Sequence, residues 1–147
     1  MSETKQAAAA PELGLIRGVV RCYQDLTALT SKHVRSLGLG PAEFDVLCTL
    51  GNTDGLTFKD LSERTLIYKT TLTSVVDRLE EKGLTHRKAC SEDRRCIFVC
   101  LTDAGDALFQ QVFPAHVDYL RQRMADLQPE QMRELLQSLE TLRALLR

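Results

Sequence analysis

Apolar residues recur at helical spacing through LGLIRGVVRCYQDLTALTSKHVRS, residues 13–36. Leu15, Val19, Tyr23 and Leu26 step along one stripe, and Leu29 roughly extends it. Gly38 and Gly40 stop this long helix. Pro41 suits the first position of the next, PAEFDVLCTLGN, with Phe44, Leu47 and Leu50 on its inner face. Thr57 is placed to cap a short third helix, FKDLSERT, with Asp60 three residues on as a partial capping box. A turn is expected at Leu66–Tyr68. The fourth helix, KTTLTSVVDRLEEK, ends at Gly83, the residue type that favours a helix C-terminus. Its apolar residues Leu72, Val75, Val76 and Leu79 fall at i, i+3, i+4 and i+7 and make one core-facing stripe. Lys69, Thr70, Thr71, Thr73, Ser74, Asp77 and Arg78 take the opposite face.

The period then changes. Residues 84–90, LTHRKAC, and 96–101, CIFVCL, read as two strands joined by SEDRR, with Ile97, Val99 and Leu101 on one face and Cys96, Phe98 and Cys100 on the other. Thr102 caps a long helix to about Met124, interrupted by Pro114, where a kink is expected. Pro129 opens a last helix with Met132, Leu135, Leu136, Leu139, Leu142 and Leu146 on its apolar side. The fold class is therefore mainly α with a small two-stranded β wing. A helix-turn-helix followed by the wing spans 41–101. Residues 1–12 are expected to be a flexible tail with some helical tendency, and 13–147 one domain. The flanking helices, 13–36 and 103–147, carry more apolar surface than so small a centre needs.

Composition adds limits. The 147 residues carry a net charge of −1, which argues against indiscriminate binding to polyanions. The charge is uneven, however. Lys59 to Arg95 holds nine Lys/Arg against seven Asp/Glu, and the remainder ten against thirteen, so a polyanion would dock on the middle third. MSETKQAAAAPE has no basic region followed by an apolar core, and no apolar run is long enough to span a bilayer, so a cytoplasmic protein without a membrane partner is expected. Five cysteines, an odd number, argue against a disulfide framework.

A helix lying in a major groove needs small hydrogen-bonding side chains and a cation or two on its outer face. Lys69, Thr70, Thr71, Thr73, Ser74 and Arg78 meet that need, and the first helical turn offers N–H groups to a phosphate. Lys69 sits at the positive end of the helix dipole, a poor place for a cation unless an anion binds there. A solvated polar face would look similar, and the hairpin decides between them. Its tip, with Asp93, Arg94 and Arg95, is too short to bury anything. An arginine on it can enter a narrow minor groove, with Asp93 holding a guanidinium in a fixed pose. Arg87 and Lys88 on the ascending strand are expected to meet phosphates.

These residues carry a resemblance. LSERTLIYKTTLTSVVDRLEEKGLTHRKACSEDRRCIFVCLTDAG resembles the MarR family of winged-helix transcription regulators, above all in DRLEEKGL, in Asp-x-Arg at 93–95 and in LTDAG at 101–105. LGLGPAEFDVL and VFPAHVDYL extend it over nearly the whole chain. The resemblance implies a homodimer with interlocked first and last helices, recognition helices in successive major grooves of an inverted-repeat duplex, and wings in the flanking minor grooves. It implies that Arg95 is the minor-groove arginine and Asp93 its orienting partner, with Arg94 on the backbone. One departure stands out. Tyr68 and Lys69 occupy the start of the recognition helix, where family members often have Ser or Asp as a cap, so the helix start is expected either to fray or to use Tyr68 as a staple.

The resemblance further implies a repressor released by a small anionic aromatic effector or by thiol oxidation. Arg17, Tyr23, His33 and His116 are the candidate effector residues. Cys22, Cys90 and Cys96 are the redox candidates. Cys22 has Arg21 beside it but reads more plainly as a small residue of a dimer-core helix, and Cys48 as core filling. Cys90 and Cys96 flank SEDRR and would face each other across the hairpin. The histidines show neither HxxxH nor CxxC spacing, so no metal and no cofactor is expected. Two other readings stay open here: a winged-helix protein-interaction module, which should have lost the tip arginines, and a thiol-based redox enzyme, for which no acid–base constellation is visible.

Overall fold

The computed structural model describes residues 2–65, 67–93 and 95–147. The elements run α1 (Glu3–Ala8), α2 (Pro11–Ser36), α3 (Pro41–Leu50), β1 (Leu56–Thr57), α4 (Phe58–Thr65), α5 (Lys69–Glu81), β2 (Thr85–Ala89), β3 (Ile97–Leu101), α6 (Asp103–Arg123) and α7 (Pro129–Leu145). The chain divides into two compact units, one reaching to Val112 and the other Phe113–Arg147. Among the described residues no helix is long and apolar enough to cross a membrane.

Helix ends follow their local chemistry. The Thr57 hydroxyl accepts from the Asp60 N–H at 3.1 Å and donates to the Asp60 carboxylate at 2.7 Å, capping α4. Gly83, at φ +71°, ends α5 with a paired closure in which the N–H groups of Gly83 and Leu84 bond to the carbonyls of Glu80 and Leu79. Thr102 accepts from the Gly105 N–H at 3.0 Å and donates to the Gly83 carbonyl at 2.6 Å, tying the start of α6 to the end of α5. A side chain on Gly105 would overlap the Leu84 carbonyl.

Three features differ from the sequence expectations, and the burial of Cys100 adds to them. Residues 3–8 wind a short exposed helix in the expected tail, and α2 starts at Pro11. The wing has a third strand, since β1 pairs with β3 (Leu56 with Val99, Thr57 with Phe98) in a sheet ordered β1-β3-β2. Two residues are too few to show an alternating pattern. Cys100 is buried although it lies on the face opposite Val99, because the preceding turn folds over it and its thiol donates to the Asp54 carbonyl at 3.4 Å. Finally, α6 runs through Pro114 as one helix. The turn expected at Leu66–Tyr68 falls partly outside the described residues.

The stripe on α5 is fully buried: Leu72, Val75, Val76 and Leu79 pack with Val46, Leu50, Leu56, Leu61 and Val99. Each such aliphatic side chain contributes roughly 1.5–3 kcal/mol, which fixes the rotation of the helix. A second cluster, Val34, Leu39, Leu47, Phe109 and Val112, joins α2, α3 and the start of α6. Salt links then fix the C-terminal half of α5. Glu43 on α3, only 7% exposed, meets Lys82 Nζ at 2.5 Å and Arg78 Nε at 3.6 Å. Arg87 on β2 donates from Nη2 to Asp77 at 2.6 Å and from Nη1 to Glu80. Its guanidinium also stacks 5.4 Å from the Phe58 ring centre. One side chain thus joins the wing, α5 and the start of α4.

Two outcomes follow. Gly105→Ala should lower stability by about 2 kcal/mol or more in urea titrations, because main chain cannot move aside as a side chain can; an unchanged midpoint would contradict the close approach. Arg87→Ala should cost about 1–2 kcal/mol and speed amide exchange in β2 and β3. Arg87→Lys should behave much like the alanine variant, since lysine cannot fork between two carboxylates; full recovery by lysine would show that charge alone suffices.

Candidate nucleic-acid interface

With its C-terminal half committed to internal partners, α5 presents its N-terminal half outward. Lys69, Thr70, Thr71, Thr73 and Ser74 are all exposed. Thr73 and Ser74 donate their hydroxyl hydrogens to main-chain carbonyls one turn back, at 3.2 and 2.8 Å, and keep acceptor lone pairs outward. The first intrahelical bond is that of Leu72 N–H to Tyr68 O at 2.8 Å, so the N–H groups of Lys69, Thr70 and Thr71 precede the ladder. Tyr68, at the N-cap, offers them no side-chain bond. Tyr68 is 84% exposed, so it does not act as the staple that one expectation allowed. The helix starts at Lys69.

An open cleft runs between this end of α5, the start of α4 and the wing tip. Lys59, Lys69, Thr73, Asp93 and Arg95 all stand on its walls. Lys59 was not singled out in the sequence. The signal was available, because it sits in the first turn of α4 as Lys69 does in that of α5, and both oppose the helix dipole. Two such lysines beside one cleft concentrate positive potential there.

Two sequence expectations gain detail. Arg87 was expected to meet phosphates; it stands on a wall of the same cleft, with its guanidinium paired to Asp77 and Glu80 and lying over Phe58. Carboxylates one strand-to-helix distance away win over solvent. Asp93 was expected to grip a guanidinium. Its Oδ1 accepts from the main-chain N–H of Arg95 at 2.9 Å, a short reach for an aspartate two residues upstream. The loop backbone under Arg95 is what it sets. Arg94 lies outside the described residues.

Other candidates sit elsewhere. Lys88, on the opposite strand face from Arg87, borders a separate groove with Asp54, Cys90 and Phe98. Arg78 is half-exposed beside Glu43. Tyr23 lines a shallow groove on α2 with Lys32 and Arg35, while Arg17 and His33 are not among its walls. His116, buried and stacked near Tyr119 at 6.4 Å between ring centres, belongs to the second unit. Cys22 is exposed on α2, and Cys90 and Cys96 stand at the foot of the wing tip.

Comparison with known proteins agrees with this geometry. The sequence model of the MarR family matches residues 39–97, which contain the helix-turn-helix, β2 and the wing tip. The HTH-type transcriptional regulator MhqR of Bacillus subtilis is 32% identical over 112 residues, 76% of this chain and 77% of its own. Among solved structures, a MarR family regulator from Streptomyces coelicolor in complex with DNA superposes with a TM-score of 0.81 at 27% identity, over 95% of this chain and 90% of its own. BpsR of Bordetella bronchiseptica, whose DNA binding is regulated by 6-hydroxynicotinic acid, superposes with a TM-score of 0.75 at 25% identity, over 86% and 90% of the two chains. Such relatives are transcription regulators, which sets aside the thiol-enzyme reading. This chain belongs to the MarR family of winged helix-turn-helix transcription regulators.

Proposed function

We propose that this regulator binds an inverted-repeat DNA duplex as a homodimer and acts in the cytoplasm as a repressor. The first two turns of α5 lie in a major groove, where Thr70, Thr71, Thr73 and Ser74 meet base edges or phosphates and Lys69 and Lys59 meet phosphates. Arg95 enters the neighbouring minor groove. Asp93 acts as a positioning residue by shaping the loop below it, and Arg94 and Lys88 meet the backbone. Arg78 adds a cation at the far end of the helix face. Arg87, on a wall of the same cleft, holds the reading surfaces in place and faces the phosphates. The carrying observation is the cleft at which Lys59, Lys69 and Arg95 converge beside the leading N–H groups of α5.

Dimer formation is supported by apolar residues left bare. Leu15, Ile16, Val19, Val20 and Leu26 are exposed on α2, and Leu135, Leu136 and Leu139 on α7. Contiguous apolar faces of this kind call for a partner surface. For release, the α2 groove offers an aromatic ring at Tyr23 and cations at Lys32 and Arg35, which suits a small aromatic carboxylate. Arg17, His33 and His116 remain further candidates for effector contacts.

A dimer neutralising about eight phosphates should show a log–log dependence of affinity on salt with a slope of about −7. Half-sites should lie about ten base pairs apart in duplexes selected from a random pool. Arg95→Ala should weaken the selected duplex by about 1–3 kcal/mol, more than it weakens random duplex, in anisotropy titrations. A salt-independent affinity, or an equal loss on both duplexes, would contradict the proposed reading.

A further inference from the structure

The five cysteines are chemically unlike, and two of them face each other. Cys90 and Cys96 extend the β2–β3 register one step beyond the Ala89–Ile97 pair. They close the hairpin, with the Cys90 N–H bonded to the Cys96 carbonyl at 2.9 Å. Each thiol influences the other's ionisation, and both are partly exposed. The loop between them carries Arg95, next to Cys96.

We propose that Cys90 and Cys96 form a reversible disulfide across the foot of the wing tip when the protein meets a hydroperoxide, and that this bond weakens duplex binding by re-posing Arg95. The DNA half of this statement rests on the function proposed above.

The two sulfurs differ in a way that assigns their order of reaction. The main-chain N–H groups of Glu92 and Asp93 are directed at the Cys90 sulfur and hold its thiol below the ordinary range. Loss of solvent, followed by the nearby Cys90 and Asp93 charges, pushes Cys96 up. The Cys90 thiolate therefore attacks the outer oxygen of the hydroperoxide. An S–O bond forms, the O–O bond breaks, and the alkoxide leaves and takes a proton as the alcohol. The Cys96 sulfur then attacks the Cys90 sulfenic acid. The S–S bond forms, the S–O bond breaks, and hydroxide leaves with the Cys96 proton as water. Two electrons pass from the pair of thiols to the peroxide. Cys48 cannot compete, because burial and then the Asp45 charge push its thiol up to about 12.

The bond would also be felt at the tip. Cross-strand Cβ atoms stand about 4.5–5.5 Å apart, and a disulfide needs about 3.5–4.5 Å, so the strand ends must draw together. The Cys90 sulfur then no longer holds the N–H groups of Glu92 and Asp93. The Asp93 bonds to the N–H groups of Arg95 and Cys96, at 2.9 and 3.0 Å, belong to the same short loop and must shift with it. An exposed, slightly strained disulfide is also readily reduced, as a switch requires.

The test uses the full chain treated with equimolar hydrogen peroxide. Peptide mapping without reductant should find Cys90 linked to Cys96 within one chain. Affinity for a selected duplex should fall about tenfold, the loss of roughly one good contact, and return with dithiothreitol. Cys90→Ser and Cys96→Ser should each bind DNA when reduced and lose the response, whereas Cys22→Ser should keep it. Absence of the linked peptide, or its complete formation with unchanged affinity, would overturn the switch. A reduced protein that binds no duplex would overturn the DNA reading itself, a failure seen separately because the linked peptide is scored without DNA.

Discussion

Arg87 is the side chain on which the rest of the reading surface depends. It reaches from β2 to two carboxylates on α5 and lies over an aromatic ring at the start of α4. Three elements that could each move alone are thereby held in one pose. Glu43 does the same from the other side, binding Lys82 and Arg78 from a nearly buried position on α3. Neither link needs to add much net stability, since such pairs lose hydration as they form. Their effect is geometric. They fix the angle between the outward half of α5 and the wing, and groove spacing in a duplex tolerates little error in that angle.

The links also divide α5 in two. Charged residues of its C-terminal half answer to neighbours inside the protomer. Small hydroxyl side chains and a lysine on its N-terminal half face outward, with Thr73 and Ser74 bonded to their own helix's main chain. This division explains why a chain with a slightly negative net charge suits DNA. The cations are not numerous, but Lys59, Lys69 and Arg95 border one cleft. The same economy makes the tip sensitive, because a five-residue loop bounded by two thiols is short enough for one bond between them to alter its shape.

Much of this was legible in the sequence wherever the pattern was local. The stripe Leu72, Val75, Val76 and Leu79 announced α5 and its buried face, Thr57 and Thr102 marked helix starts, and Gly83 marked an end. What was not legible involved choices between partners distant in the chain. Nothing near Arg87 reveals that Asp77 and Glu80 lie within reach, and its place on a basic strand suggested phosphates. Leu56 and Thr57 give no strand signal until β3 lies beside them. Cys100 alternates like a residue facing solvent and is buried by a turn some forty-five residues earlier. Asp93 takes up the Arg95 amide, because a carboxylate two residues before an amide has a main-chain option that composition does not display.

Amide exchange with and without a selected duplex tests the central claim most directly. The N–H groups of Lys69, Thr70 and Thr71 precede the helical ladder and should exchange quickly in the free protein. On adding duplex they should become strongly protected, together with amides around Asp93 and Arg95, while α3 and α4 beyond its first turn stay as they were. Protection confined to other surfaces, with the start of α5 and the wing tip still exchanging freely, would contradict the account.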